Sequence, residues 1–395
     1  MSTLKVDAIR HNSATSDAIT TAADGTCTAK LTSVGGGGLS HRNRVINGSM
    51  IVNQSSSSYT ATGEEYLLDR FNHRTGSGFT FDTTTTQDTS APDGFTKSLK
   101  ITPDSTQTPS GSHNGMIGHL IEADNLLGFA SGTSSAKSFA LSFYAKSSSQ
   151  NNNHQYSVQI SKVNSGGTYY YQNRSFVVTS SWQRFTVVFP ADTSNNIATG
   201  NGEGLRILWH LSAGPDDIAS AVTSWTSSNG NHAVTGQSNF MDNTSNEFYL
   251  TGVQLEVGDT ATSFEHRSFG DVLARCQRYC VQYNSNYANR DYIMPAKVSD
   301  ADDAYAAWQP PVATRTTYPT ISVSNASHLA LEYGDFSYSS PINFSSRDNT
   351  AANPYSPINF LNFDLNENVL SSGQMVYLAF ANNTTGGYLR FEWEL

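Results

Sequence analysis

The stretch Glu247–Gln282 reads EFYLTGVQLEVGDTATSFEHRSFGDVLARCQRYCVQ. Its first half alternates. Phe248, Leu250 and Gly252 oppose Tyr249, Thr251 and Val253, and Leu255 and Val257 continue on the second face, which is the period of a β-strand. Gly258-Asp259 ends the run. Ser268 then stands three residues before Asp271, a spacing that starts helices because the hydroxyl can bond a free amide of the first turn. Val272, Leu273, Cys276, Tyr279 and Cys280 follow at helical spacing and give one apolar face. The expectation is a strand that closes one β-rich unit and a short helix that leads to the next.

The whole chain agrees with a β reading. Its 395 residues suffice for two or three cores. Charged residues make up only 14% and aromatics 11%, whereas disordered chains carry more charge and few aromatics. Thr, Tyr, Phe and Val suit strands, and Gly, Asn and Ser suit the turns between them. The formal charge of −10, with no basic run, argues against a nucleic-acid partner. No apolar segment of about 18 residues exists, so no membrane insertion is expected. The N-terminus lacks a positive-then-apolar signal pattern, which implies synthesis in a cytoplasm and release by some other event such as lysis. Cys27, Cys276 and Cys280 make no disulfide framework, and no ligand spacing turns them into a metal site.

Four regions follow along the chain. Residues 1–38 hold short apolar stripes, Leu4, Val6 and Ala8, then Ala18-Ile19, then Cys27, Ala29 and Leu31. Such strands need partners, and three copies winding together would supply them, so this segment is expected to be extended and trimerising. Residues 39–267 read as one sandwich of strands near 43–53, 78–84, 96–102, 114–121, 137–146, 154–162, 168–178, 182–189, 204–212 and 246–257. Residues 268–282 are the linking helix. Residues 283–395 read as a second β-rich domain. Val376, Leu378 and Phe380 mark one strand, and Leu389, Phe391, Trp393 and Leu395 mark the apolar face of the last. Asn382–Gly387 is expected to be the hairpin loop between these two.

Several of these stretches resemble one family. The run Phe248–Ser268 with the following LARCQRY is similar to a segment of bacteriophage tail-fibre and related virion appendage proteins. NRVINGSMIVNQ (Asn43–Gln54) followed by LLDRF (Leu67–Phe71) resembles the opening of their carbohydrate-binding-module-like jelly roll. MSTLKVDAI (Met1–Ile9) looks like the N-terminal anchor of fibre proteins of the marine or cyanobacterial phage type. The resemblance implies an all-β chain: an N-terminal extended anchor or stalk, a jelly-roll β-sandwich, a short helix and a C-terminal β-sandwich-like domain. It further implies a location on the virion, contact with other tail or capsid proteins through the N-terminus, and a host cell-surface glycan as ligand. Modules of this kind often hold a structural calcium ion. Asp242, Glu247 and Glu256 lie near the last sandwich strand, but their spacing specifies no site, so no cofactor is assigned and a calcium ion stays open.

A catalytic constellation does not emerge. The G-x-S-x-G, H-E-x-x-H and phosphate-loop patterns are absent. The adjacent pairs Glu64-Glu65, Asp216-Asp217 and Asp302-Asp303 cannot face one another across a cleft as glycosidase carboxylates do. No enzyme is expected. Aromatic rings are better candidates, since they offer flat partners to the apolar faces of sugars. Thr168–Arg174, TYYYQNR, places Tyr169 and Tyr171 on one strand face and Tyr170 on the other. Tyr169, Tyr171, Trp209 and Trp225 are therefore the candidate glycan contacts, with Asn173 and Arg174 supplying hydrogen bonds. Leu4, Val6, Arg275, Arg278 and Leu395 are the candidate contacts of a homotrimer. The function expected is host-surface glycan adhesion by a homotrimeric tail-fibre or tail-spike-like protein. The alternative is a purely structural virion protein, such as a capsid decoration, horn or tail adaptor.

Overall fold

The computed structural model describes residues 6–9, 19–21, 23, 27–29, 40–55, 58–61, 65–227, 232–285, 291–299, 303–316, 319–333, 336–338, 342–346, 359–365, 372–380 and 386–395. Near the N-terminus, β1 (Ala8–Ile9), β2 (Ile19–Thr21) and β3 (Cys27–Ala29) pair antiparallel in chain order. These short strands thus find backbone partners within one chain. Val6 and Ile9 stay exposed, at 43% and 54%. Leu4 lies outside the described residues.

The sandwich is built from β4 (Ser58–Ala61), β5 (Glu65–Leu68), β6 (Phe71–Gly76), β7 (Thr83–Asp88), β8 (Ser98–Pro103), β9 (Asn114–Glu122), β10 (Phe139–Ser147), β11 (Gln155–Val163), β12 (Tyr169–Val177), β13 (Gln183–Phe189) and β14 (Glu203–Ala213). A two-stranded parallel pair, β15 (Ile218–Ala219) and β16 (Ala233–Val234), borders it, and β17 (Phe248–Val257) closes it. One sheet runs β13-β10-β17-β8-β7-β4 and the other β12-β11-β14-β9-β6-β5. All their pairings are antiparallel. Alternation decides the inner faces. Phe139, Leu141, Phe143 and Ala145 of β10 meet Tyr156, Val158 and Ile160 of β11 and Ile207, Trp209 and Leu211 of β14 in one core. Edge-to-face contacts such as Phe143 on Trp209 at 5.7 Å and Tyr156 on Phe248 at 5.7 Å set its packing. On β13, Phe185, Val187 and Phe189 turn inward while Arg184, Thr186 and Val188 are exposed.

Residues 43–53 are not a strand. They form a buried, irregular segment in which two Asn side chains supplement a few backbone bonds to β17. Asn43 donates to the Val253 carbonyl and accepts from the amides of Val45 and Leu255. Asn47, at φ 60°, accepts from Val52 and donates to the carbonyls of Val52 and Asp69. The strand expected at 78–84 begins only at Thr83, and β5 and β6 lie in the stretch before it.

Helix α1 (Phe269–Gln277) starts where the sequence indicates, with Ser268 Oγ accepting from the Asp271 amide at 3.3 Å. It ends sooner than the periodicity indicates. Val272 and Cys276 pack on Val52, while Tyr279 lies past the helix and Cys280 opens β18 (Cys280–Asn284). The C-terminal unit adds β19 (Tyr292–Val298), β20 (Asp303–Trp308), β21 (Thr320–Val323), β22 (Leu329–Tyr333), β23 (Phe336–Tyr338), β24 (Ile342–Ser346), β25 (Asn359–Leu365), β26 (Met375–Phe380) and β27 (Tyr388–Glu392). Its sheets run β18-β27-β21 and β23-β22-β26-β19-β20-β25-β24 around a second core that includes Trp308, Leu378, Phe391 and Trp393. β26 and β27 belong to different sheets, so they are not a hairpin; residues 382–385 between them lie outside the described residues. The fold is all-β, with the short helix at the seam of two sandwich-like units.

Candidate functional site

The outward face of the β12-β11-β14-β9-β6-β5 sheet is open over part of its width. Register fixes what it presents. Tyr171 pairs with Ser161, Ser161 with Arg206, Gln159 with Leu208, and Leu208 with Gly118. Next to these, Arg74 pairs with Met116 and Asn114 with Gly76. Directly paired residues share a face, so these side chains line one cleft of about 240 Å³, together with Tyr169, His210 and His232. Gly118 matters locally. A Cβ there would come within 2.9 Å of the Arg74 stem and 2.3 Å of Asn72 Oδ1, so the bare backbone lets both side chains cross the sheet.

Tyr169 stands at the mouth, 39% exposed. Its ring lies 4.2 Å from the Arg206 guanidinium carbon, and Arg206 makes a forked pair with Glu203 at 2.7 and 2.9 Å. Such a fork fixes the guanidinium plane and with it the ring above. Tyr171 is only 5% exposed and packs near His232, ring centroids 5.8 Å apart. His232 stacks parallel to His210 at 5.9 Å and pairs through Nδ1 with Asp217 at 2.8 Å. Asn114 Nδ2 donates to the other Asp217 oxygen at 3.2 Å. Burial alone would raise the Asp217 pKa, but the hydrogen bond and charge of His232 outweigh it and hold the carboxyl below its usual range. His210 is driven the other way. Burial first, then the neighbouring His232, push it down to about 3, so it is a neutral ring whose Nε2 meets Gln159 at 2.8 Å.

The expected site residues divide. Tyr169 and Tyr171 share the cleft. Asn173 lies on the same strand but serves its wall. It accepts from the Val222 amide and donates to the His232 carbonyl, tying down the segment that carries His232. Arg174 is a correction. It faces the other way, over the Phe189 ring at 5.5 Å, and bonds the Asn173 and Val222 carbonyls. Trp209 is a second correction. It is fully buried in the sandwich core, because β14 turns its odd-numbered residues 205 to 211 inward. Trp225 is a third. Its indole donates to the Pro190 carbonyl and its ring caps Lys162 and Phe139 at the core rim.

The residues the sequence reading missed are Arg206, His210, Gln159, Asn114, Arg74 and His232. The alternation Arg206, Leu208, His210 against Ile207, Trp209, Leu211 would have revealed the first two as the outward set. The others come together only through register and a distant loop.

Among the interface candidates, Arg275 is 36% exposed and bonds Asp271 one turn away. Arg278 is corrected. It is spent inside the chain, forked on Glu122 at 2.7 and 2.9 Å and bonded to the Ala313 and Thr314 carbonyls. Leu395 lies beyond the end of β27, and its carbonyl accepts from Tyr66 of the sandwich at 3.3 Å. The carboxylates considered for calcium have separate partners: Asp242 takes Asn246, Glu247 takes Lys100, and Glu256 takes Thr262. No group of three His, Cys, Asp or Glu able to hold a metal occurs among the described residues. No helix among them is long and apolar enough to cross a membrane. Of the adjacent carboxylate pairs, Glu64 and Asp302 lie outside the described residues.

No family model matches the chain, and no curated protein matches it. Among solved structures it overlaps the family 11 carbohydrate-binding module of the Clostridium thermocellum cellulase Lic26A-Cel5E at 14% identity, over 53% of this chain and 99% of the module, with a TM-score of 0.27. The family 22 carbohydrate-binding module of Clostridium thermocellum Xyn10B gives 12% identity over 52% and 96%, with a TM-score of 0.28. The enzymatically active domain of bacteriophage CBA120 tailspike protein 4 gives 14% identity over 57% of this chain but only 23% of the other, with a TM-score of 0.27. Similarity at this level leaves the ligand to be argued from the cleft itself.

Proposed function

We propose that the protein binds a host-surface glycan in the cleft over β9, β11, β12 and β14, and does so as a non-catalytic adhesion module. The observation that carries this reading is the mouth of the cleft, where the exposed Tyr169 ring is held on a fixed guanidinium beside Tyr171, above a polar floor of Gln159, Ser161 and Arg74. A flat ring set beside fixed hydrogen-bonding groups suits the mixed apolar and hydroxylated surface of a sugar. Among the described residues, no carboxylate lines the cleft. Two carboxylates bonded to lining residues are committed, Glu203 to Arg206 and Asp217 to His232 and Asn114. A glycosidase acid needs a raised pKa, whereas Asp217 is held low. This supports adhesion over hydrolysis.

The setting is a virion appendage, on the resemblance of Asn43–Gln54, Leu67–Phe71 and Phe248–Tyr279 to phage tail-fibre segments. In that setting residues 1–38 anchor and trimerise the chain, and three weak cleft sites on one particle act at high effective concentration. The test is binding of the full chain to purified host-surface polysaccharide. Tyr169→Ala is expected to weaken it roughly tenfold, from about 1–1.5 kcal/mol of lost aromatic contact. Unchanged binding by this variant sinks the cleft reading. Shortening of the polymer during incubation sinks the non-catalytic one.

A further inference from the structure

We propose that the chain carries a second ligand site, a groove at the seam of the two units that takes a short, uncharged, hydroxyl-rich oligosaccharide. The groove measures about 470 Å³ and shares no residue with the cleft. One wall is β5 of the sandwich, through Glu65 and Tyr66. The other is the outward face of the β18-β27-β21 sheet. There Thr320 pairs with Glu392 and Ser322 with Arg390, so their side chains stand in rows beside Tyr388. The opposite face of β27 is Leu389 and Phe391, buried in the C-terminal core. A sheet face of hydroxyls, one ring and paired charges is left facing a cavity rather than a packed neighbour.

Two features make this a site rather than a gap between loosely joined bodies. First, the walls are fixed. Arg70 from the sandwich pairs with Glu394, and Arg315 donates to the Trp393 and Glu394 carbonyls and to Asn201 of the sandwich. A rigid seam is where preformed small-molecule pockets tend to occur, and this volume lies within their usual range of roughly 300–1,000 Å³. Second, the charged groups of the C-terminal wall already have partners. Arg390 bonds Gln282 and Glu392, Glu394 is taken by Arg70, and Arg315 is spent on carbonyls. A ligand that brought charge to that wall would have to displace one of these partners. Hydroxyl groups can add to their spare lone pairs and protons without displacement, and the Tyr388 ring offers a face for an apolar sugar edge. The chemistry selects a neutral polyol of a few rings.

The experiment is calorimetric titration of the full chain with neutral tetrasaccharides of gluco, galacto, manno and xylo configuration. Two equivalents per chain are expected with the accepted sugar. Thr320→Trp, at an exposed position on the groove rim, and Tyr388→Ala should each abolish one equivalent, weakening it at least tenfold, and leave the other intact. Tyr169→Ala should remove the equivalent that these two spare. A single equivalent indifferent to Thr320→Trp and Tyr388→Ala overturns the groove. Binding lost entirely in Thr320→Trp but intact in Tyr169→Ala upholds the groove and overturns the cleft. Melting followed by circular dichroism separates a blocked groove from an unfolded variant, and Thr320→Trp with unaltered melting and unaltered binding also overturns it.

Discussion

His210 is held neutral within the fold and titrates freely outside it. Its folded pKa of about 3 stands far below the 6.5 of an unfolded histidine. Between those values the unfolded chain binds one proton more, so this group makes stability rise with pH across that window and fall on acidification. His119, fully buried and also driven down by burial and then by Arg70, adds in the same direction. Asp217, held low, adds a loss at still lower pH, as the carboxylate is titrated through its folded pKa. Urea unfolding between pH 7 and pH 4 should show stability dropping as pH falls, and His210→Gln should remove up to about 1.4 kcal/mol per pH unit of that slope. A slope unchanged in the variant would show that His210 takes up its proton without cost. The sequence reading reached this strand and named its neighbour, Trp209. The period was legible, and Arg206 and His210 marked its outward parity; the cleft partners on neighbouring strands were not, because only register brings them together.

The segment Asn43–Gln54 shows what alternation cannot tell. Its apolar residues Val45, Met50 and Val52 are buried as a strand's would be, yet the amides of Val45 and Val52 go to Asn side chains. The Asn47-Gly48 pair was the legible sign of a turn. Gly48 also lies against β17. A Cβ there would meet the Val253 carbonyl oxygen at 2.1 Å, and that carbonyl belongs to a central strand that cannot yield. Gly48→Ala should therefore destabilise the sandwich by about 1–3 kcal/mol, read as a lower midpoint in urea with unchanged slope. An unchanged midpoint would mean the segment shifts freely on the sheet. Helix α1 was legible at its start because a cap is local. Its end was not, since Tyr279 leaves the helix to reach Glu122 on the sandwich at 2.7 Å.

The two units are joined through a small set of buried polar contacts. Arg70 is 1% exposed, holds φ 72°, lies 3.6 Å from the Tyr279 ring centroid, and pairs with Glu394 while donating to the Leu120 carbonyl. Breaking a buried ion pair from one side costs about 3–5 kcal/mol, because the remaining charge stays desolvated. Arg70→Met should leave Glu394 in that position and loosen the seam. Scanning calorimetry should then show two transitions where the parent shows one, and a single unshifted transition would assign the coupling to other contacts. None of this was visible in sequence. Arg70 and Glu394 lie 324 positions apart, and the expected hairpin between β26 and β27 masked the fact that the last strand crosses to a different sheet and brings Glu394 to the sandwich.

The sulphur of Cys276 gives that seam a chemical clock. The residue is 1% exposed between α1 and Val52, and burial keeps its thiol protonated and unreactive. Alkylation can therefore proceed only during moments when the helix lifts from the sandwich. In a chain with Cys27 and Cys280 replaced by Ser, the rate of iodoacetamide uptake at Cys276 would count those moments directly. It should be slow in the parent chain and rise at least tenfold in Arg70→Met. Equal rates would locate the opening motion elsewhere. A helix read first as a connector would then serve as the latch whose lifting frequency measures how firmly the two units are held together.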